Sequence, residues 1–279
     1  MKQILVMMAA VVLVGCSKDT PETSQAAEAE AQVTFETEPV LPAEEKLIAD
    51  PIVEGAVRDE LEKPEGELTE ADLEKVTGEI WLSGTQITDA GLKDLAKLQN
   101  LTSLMLNGTK TSDEGLKDVA KLQNLEELSL FNTKITGTGL KELAKLQQLT
   151  FLSLSYTEIT DAGLKEVAKL QQLKQLYLSN TKITDEGLKE MAKLQKLERL
   201  HLGDTKVTDE GLKRVAKLQN LNHLWLPRTQ ITDAGLKELA KLQKLEELEL
   251  SRTKVTKAGV AELQKALPNC EIDGPQSSP

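Results

Sequence analysis

The chain has 279 residues, 45 of them acidic and 34 basic, giving a formal net charge of −11, with 3% aromatic residues and two cysteines. The charge is divided unevenly: residues 1–77 hold 18 Asp and Glu against 6 Lys and Arg, whereas 78–279 hold 27 against 28. A nearly neutral main body lacks the basic footprint of a nucleic-acid binder, so no nucleic acid is expected as a partner.

In chain order, the first element is a short basic start, Met1-Lys2, followed by a mostly apolar run from Ile4 to Val14. That run is too short to cross a bilayer as a helix but has the length of an export-signal core. Leu13-Val14-Gly15-Cys16 resembles the bacterial lipobox. The resemblance implies that residues 1–16 form a lipoprotein signal peptide with a lipidated cysteine. Cys16 would be diacylated and become the new N-terminus, leaving the exported protein lipid-anchored to a membrane of the cell envelope. An ordinary cleaved signal with an incidental cysteine is the alternative. Several acyl chains anchor stably where one is marginal, and acylation of Cys16 would leave only Cys270 as a thiol, excluding an intramolecular disulfide.

Residues 17–45 are rich in Glu, Ala, Thr and Pro and poor in large apolar residues, the composition of a disordered acidic tether. Such a segment reaches at most about 100 Å when extended. Over residues 46–77 the pattern changes: Ile52, Val53, Ala56, Val57 and Leu61 recur at helical spacing, and Lys63-Pro64-Glu65-Gly66 ends that helix. Thr69, with Asp72 three residues on, is placed to cap a second helix.

From about Glu79 a 24-residue register takes over, built on Leu-x-x-Leu-x-Leu-x-x-Thr-x-Ile/Val-Thr-Asp-x-Gly-Leu-Lys. Its leucines align as Leu101/Leu104/Leu106, Leu125/Leu128/Leu130 and so on to Leu245/Leu248/Leu250, with Ile80/Leu82 before them and Cys270/Ile272 after. This resembles the leucine-rich repeat family, in its helical, ribonuclease-inhibitor-like branch and as found in bacterial lipoproteins. The resemblance implies an α/β, right-handed solenoid, a horseshoe with a concave parallel β-sheet and convex helices, over residues 78–273. Residues 46–77 then resemble the helical N-terminal cap that shields the first repeat, and 274–279 would be a disordered tail.

The residues support each part of that expectation. In Leu125-Glu126-Glu127-Leu128-Ser129-Leu130 the leucines point inward and Glu127 and Ser129 outward, as in a strand. Leu140, Leu143 and Ala144 share a helical face, with Thr136 as expected N-cap. A threonine column, Thr85 to Thr253, replaces the family's common asparagine ladder, and its hydroxyls are expected to donate to carbonyls of the next turn. The lysine columns (Lys93 and Lys97, repeated to Lys237 and Lys241) alternate with Asp94, Asp118, Glu142, Glu166, Glu190 and Glu238, giving a salt-paired convex face. Cys270 stands where a strand leucine would and is expected to be core.

Function must then lie in positions that vary. On the strand face the middle column reads Trp81, Met105, Ser129, Ser153, Tyr177, His201, Trp225, Glu249, and the preceding column Glu79, Ser103, Glu127, Phe151, Gln175, Arg199, His223, Glu247. Just past the strands come Phe131 in one column and, in the next, Gly84, Gly108, Asn132, Tyr156, Asn180, Asp204, Arg228, Arg252. Every aromatic residue and histidine except Phe35 falls in these columns, where the core has no use for them. The rings are therefore expected on the surface, with Ser129 and Ser153 leaving a shallow gap. Trp81, Met105, Phe131, Phe151, Tyr156, Tyr177, Arg199, His201, His223, Trp225 and Arg228 are the candidate ligand-binding residues, since exposed Trp, Tyr and Arg dominate binding hot spots. Cross-strand pairing that merely stabilises the sheet is the competing account.

No zinc spacing, nucleophile elbow or phosphate loop is present, so neither a catalytic site, a metal nor a cofactor is expected. The partner is expected to be a protein or peptide bound by a monomer. An envelope glycan, or a stalked scaffold without a defined ligand, remains open.

Overall fold

The computed structural model describes residues 46–275. Cys16 and its lipobox, the tether through residue 45 and residues 276–279 lie outside them. The first element, α1 (Pro51–Glu60), starts because Asp50 caps it: the Asp50 carboxylate accepts from Ile52 N and Val53 N at 2.9 and 3.1 Å, with Pro51 in the first turn, where its missing N–H costs nothing. Its buried face is Val53 and Val57. A short α2 (Glu70–Leu73) follows, closed by a reciprocal capping box between Thr69 and Asp72. Hydrogen bonds from Lys63, then from the Thr69 backbone and hydroxyl and from Lys75, hold the Asp72 carboxyl well below the usual range.

Asp94 joins the start of α1 to the repeats. Its Oδ2 accepts from Ala49 N and Asp50 N, both at 2.8 Å, while Lys97 bridges from Asp94 to the Leu47 carbonyl. The apolar end of the first repeat is thereby covered.

Strands β1 (Glu79–Trp81), β2 (Ser103–Met105), β3 (Glu127–Ser129), β4 (Phe151–Ser153), β5 (Gln175–Tyr177), β6 (Arg199–His201), β7 (His223–Trp225), β8 (Glu247–Glu249) and β9 (Glu271–Asp273) form one parallel sheet in sequence order. Each pairs with the next at a shift of one repeat, as in Tyr177 with His201 and His201 with Trp225. This is the right-handed leucine-rich solenoid expected from the register, strands on one side and helices on the other. The framework leucines are fully buried, and Cys270 joins them at 4% exposure, its thiol pushed up to about 11 by burial and then by Glu247 and Glu271. It is a core residue, as expected.

The helices differ in length. Those at α3 (Asp89–Leu95), α6 (Asp161–Val167), α8 (Asp209–Val215) and α9 (Asp233–Leu239) start directly after a threonine; α4 (Leu116–Val119), α5 (Leu140–Leu143) and α7 (Leu188–Met191) start later, and α10 (Lys257–Ala266) is the longest of them. Thr136 is therefore not an N-cap: Gly139 holds that position in α5, and the Thr136 hydroxyl donates instead to Asp113 of the repeat before.

That bond is one of a series. The aspartate of each Thr-Asp-x-Gly motif accepts from the backbone N–H and hydroxyl of the next repeat's threonine or serine, at 2.8 and 2.6 Å for Asp185 with Thr208 and for Asp209 with Thr232. The motif's glycine is required because a Cβ at Gly211 would strike the Asp185 carboxylate. Gly137 breaks the series. With no carboxylate there, the joint to Thr160 is made by backbone packing, a Cβ at Gly163 lying 3.1 Å from the Gly137 Cα.

The threonine column also acts differently from expectation. Each hydroxyl donates at 2.6–2.8 Å to the carbonyl three residues earlier in its own turn, Thr181 to Leu178 and Thr205 to Leu202. A threonine side chain is one atom group shorter than asparagine and folds back onto its own backbone. The convex face is salt-paired as the charge pattern implied, with Lys97–Asp94, Lys121–Asp118, Lys145–Glu142, Lys169–Glu166, Lys193–Glu190 and Lys241–Glu238.

Candidate binding face

The parallel register brings the candidate side chains together in two groups. Along the strands, Phe151 and Tyr177 approach with ring centroids 5.3 Å apart, Tyr177 and His201 at 4.0 Å, and His201 and Trp225 at 4.0 Å, while His223 stacks on Trp225 at 5.4 Å. These rings are half-buried by one another, contrary to the expectation that they stand free. A strand spacing of about 4.8 Å is shorter than a ring is wide, so neighbouring rings must tilt and overlap. The shallow gap is absent too: Ser129 and Ser153 are 5% and 7% exposed, and Ser129 donates to the Asn107 side chain.

His201, inside the row, has a buried Nε2 with no hydrogen-bond partner among the described residues. Burial, then the charges of Arg199 and His223, pull its pKa down to about 4, so the His201 imidazole is uncharged at neutral pH. His223 is held differently, with Nδ1 2.7 Å from Asn222 Oδ1 and Nε2 3.6 Å from Glu247 Oε2. Among the described residues no three His, Cys, Asp or Glu side chains are grouped to hold a metal ion.

The second group lies just past the strand ends. Phe131 and Tyr156 pair at 5.0 Å and are 39% and 48% exposed. Trp81 stands apart on β1, 65% exposed, beside half-buried Met105. Arg199 is exposed on β6, and Arg228 reaches Asp204 at 3.4 Å. The rings with most free surface are thus Trp81, Phe131 and Tyr156.

The column that contains Tyr156 has a second property. Its residues all carry left-handed backbone: Gly84, Gly108, Asn132, Tyr156, Asn180, Asp204, Arg228 and Arg252 have φ between 52° and 72°. From Gly84 to Arg228 the conformation is imposed by the ladder, because the N–H of each turn donates to a carbonyl of the next repeat, Tyr156 N to Ser179 O at 2.9 Å and Arg228 N to Ser251 O at 3.0 Å. Glycine, asparagine and aspartate accept this readily, whereas an ordinary side chain costs about 1–2 kcal/mol. Tyr156, Arg228 and Arg252 are held there despite that cost. Arg252 was not among the candidates; its signal in the sequence was a second arginine, next to Arg228, in a column where Gly, Asn and Asp hold five of the eight positions.

A family described as a leucine-rich repeat region matches residues 132–271, half of the chain. Among solved structures, internalin C2 of Listeria monocytogenes is 26% identical with a TM-score of 0.64, covering 81% of this chain and 95% of its own. A leucine-rich repeat protein of Leptospira interrogans is 23% identical with a TM-score of 0.46, over 72% of this chain and 62% of its own. No curated protein matches the sequence.

Proposed function

The chain belongs to the leucine-rich repeat family, and from that premise we propose that it is a non-catalytic lipoprotein, tethered at the cell surface through Cys16, whose concave face binds a protein or peptide. The observation that carries this reading is the concentration of Phe, Tyr, Trp, His and Arg on the strand face and its rim, on a scaffold whose core is otherwise built from leucine, isoleucine and valine. A repeat fold of this kind is an interaction scaffold, and large aromatic and guanidinium groups are the types that anchor protein interfaces. The ring contacts favour a polypeptide over a glycan. Tyr177, His201 and Trp225 lean on one another at 4.0 Å, so their faces are largely taken and are poorly placed to stack on a sugar.

Anchoring rests on the lipobox sequence; among the described residues no helix is long and apolar enough to cross a membrane. Cys16→Ser should abolish fatty-acid labelling, and normal labelling of that variant would refute the anchor. The same variant serves as bait for envelope extract: captured material should be destroyed by protease and resist glycan-cleaving enzymes. Capture should also fall on the order of thirtyfold in affinity in Tyr177→Ala/Trp225→Ala. Capture that survives both substitutions unchanged, or material sensitive only to glycan-cleaving enzymes, overturns the reading.

A further inference from the structure

The rim of left-handed turns forms a second strip beside the strand row. At one end stand the exposed rings of Phe131 and Tyr156, and at the other Arg228 and Arg252, in adjacent turns. Asn180 and Asp204 lie between and are also exposed. Arg228 has one loose partner, Asp204 at 3.4 Å, and Arg252 makes no ion pair among the described residues. Of the carboxylates on the nearby strands, Glu247, Glu249, Glu271 and Asp273, none makes an ion pair with either arginine, and Glu249 is turned to its own chain, accepting from Ser251 N at 2.8 Å.

Two like charges in neighbouring turns repel each other, and each occupies a backbone that asparagine or glycine would fill at lower cost. Nothing in the fold requires them: the ladder hydrogen bond at Arg228 is made by the main chain, to Ser251 O, and is indifferent to the side chain, and the Arg252 side chain makes no hydrogen bond among the described residues. Strained ordinary residues of this kind gather where a structure meets a ligand. A guanidinium pair matches carboxylates, which it can take with paired, charge-assisted hydrogen bonds. The ring pair at the far end needs an apolar group. Tyr156 and Arg228 are three rungs apart, about 14 Å, the span of about four residues of extended chain. A polypeptide supplies both chemistries over that distance, and a small free anion does not.

We infer that this rim binds an extended acidic polypeptide segment of the partner, with carboxylates at Arg228 and Arg252 and an apolar side chain against Phe131 and Tyr156. The inference rests on the reading that the partner is a protein, and assigns its point of entry to the turns rather than to the strand row.

The test uses the full chain and a labelled peptide carrying a leucine and, four residues on, two glutamates, with the glutamine version as its control. The glutamate peptide should bind and the glutamine peptide should not. Arg228→Asn/Arg252→Asn should weaken binding by at least about tenfold, while the melting temperature holds or rises, since asparagine is at ease in these turns. Lys165→Ala on the convex side should change neither. Absence of binding to the unaltered chain, equal binding of the glutamine peptide, or unchanged affinity in the arginine variant overturns the inference, as does weakened binding accompanied by a lower melting temperature. If the arginine variant still captures a protein partner while Tyr177→Ala/Trp225→Ala does not, the rim is wrong and the concave-face reading stands.

Discussion

Two sides of each repeat are equally regular in backbone but differ in what they do with side chains. On the side leading into the helices, Thr-Asp-x-Gly recurs, and the structure uses it the same way at almost every joint, aspartate to the next threonine. On the strand side the pairing is just as uniform, yet the outward residue changes from Trp81 through Ser153 to Tyr177 and Glu249. A solenoid needs repeated side chains only where one repeat touches the next through them. Where main-chain hydrogen bonds carry the contact, the side chain is free to vary without breaking the joint between repeats.

The sharpest way to break this contrast is in the core. Leu176→Ala removes a side chain with 0% exposure and should cost about 2–5 kcal/mol, read as a large drop in melting temperature. A loss below about 1 kcal/mol would mean that the repeats are not stacked as described. At the joints, Asp185→Ala strands the Thr208 N–H and hydroxyl, for about 1–3 kcal/mol. Thr160→Ala, at the joint opposite Gly137 where no aspartate is present, should be nearly silent. Equal effects would show that the carboxylates do not link the repeats.

On the strand side, ring burial predicts a difference between the two tryptophans. Trp225→Ala should lower stability by about 1–2 kcal/mol, because its ring supports His201 and His223, while Trp81→Ala, 65% exposed and without a ring partner, should leave the melting temperature nearly unchanged. The smallest effect concerns pH. His201 titrates at about 4 in the fold against an ordinary 6.5, so the unfolded chain takes up its proton first. Stability is complete above about 6.5 and declines as pH falls toward 4, by about 1 kcal/mol once partial exposure is allowed for. Melting measured at pH 7 and pH 5 should show a shallower decline in His201→Leu; parallel declines would remove His201 as the cause.

The leucine register was legible because its period repeats without interruption and each leucine answers to one rule, burial. From it follow the strand pairing at one-repeat offsets and the core place of Cys270, while the capping box at Thr69 was legible from its own spacing to Asp72. The columns that carry the candidate residues were legible for the same reason. Their exposure was not. Whether Tyr177 stands free depends on His201 lying 4.0 Å away, and Ser153 is covered although it faces outward. Arg252 gains its interest only from the coordinates, because the left-handed backbone that makes an arginine costly throughout its column is not visible in the sequence.

The amino-acid sequence by itself determined the fold class, the register and the list of positions free to vary, since these depend on the periodic demand to bury leucine. Only the tertiary structure decided where the polar groups of one repeat find partners in the next. Thr181 turns back to Leu178 rather than across, Thr136 serves Asp113 rather than its own helix, and Arg228 sits in a turn whose ladder hydrogen bond overrides side-chain preference. Burial is a one-body property that composition and spacing can express; hydrogen-bond partnership and ring overlap are relations between residues, many of them one repeat apart, settled when the repeats stack.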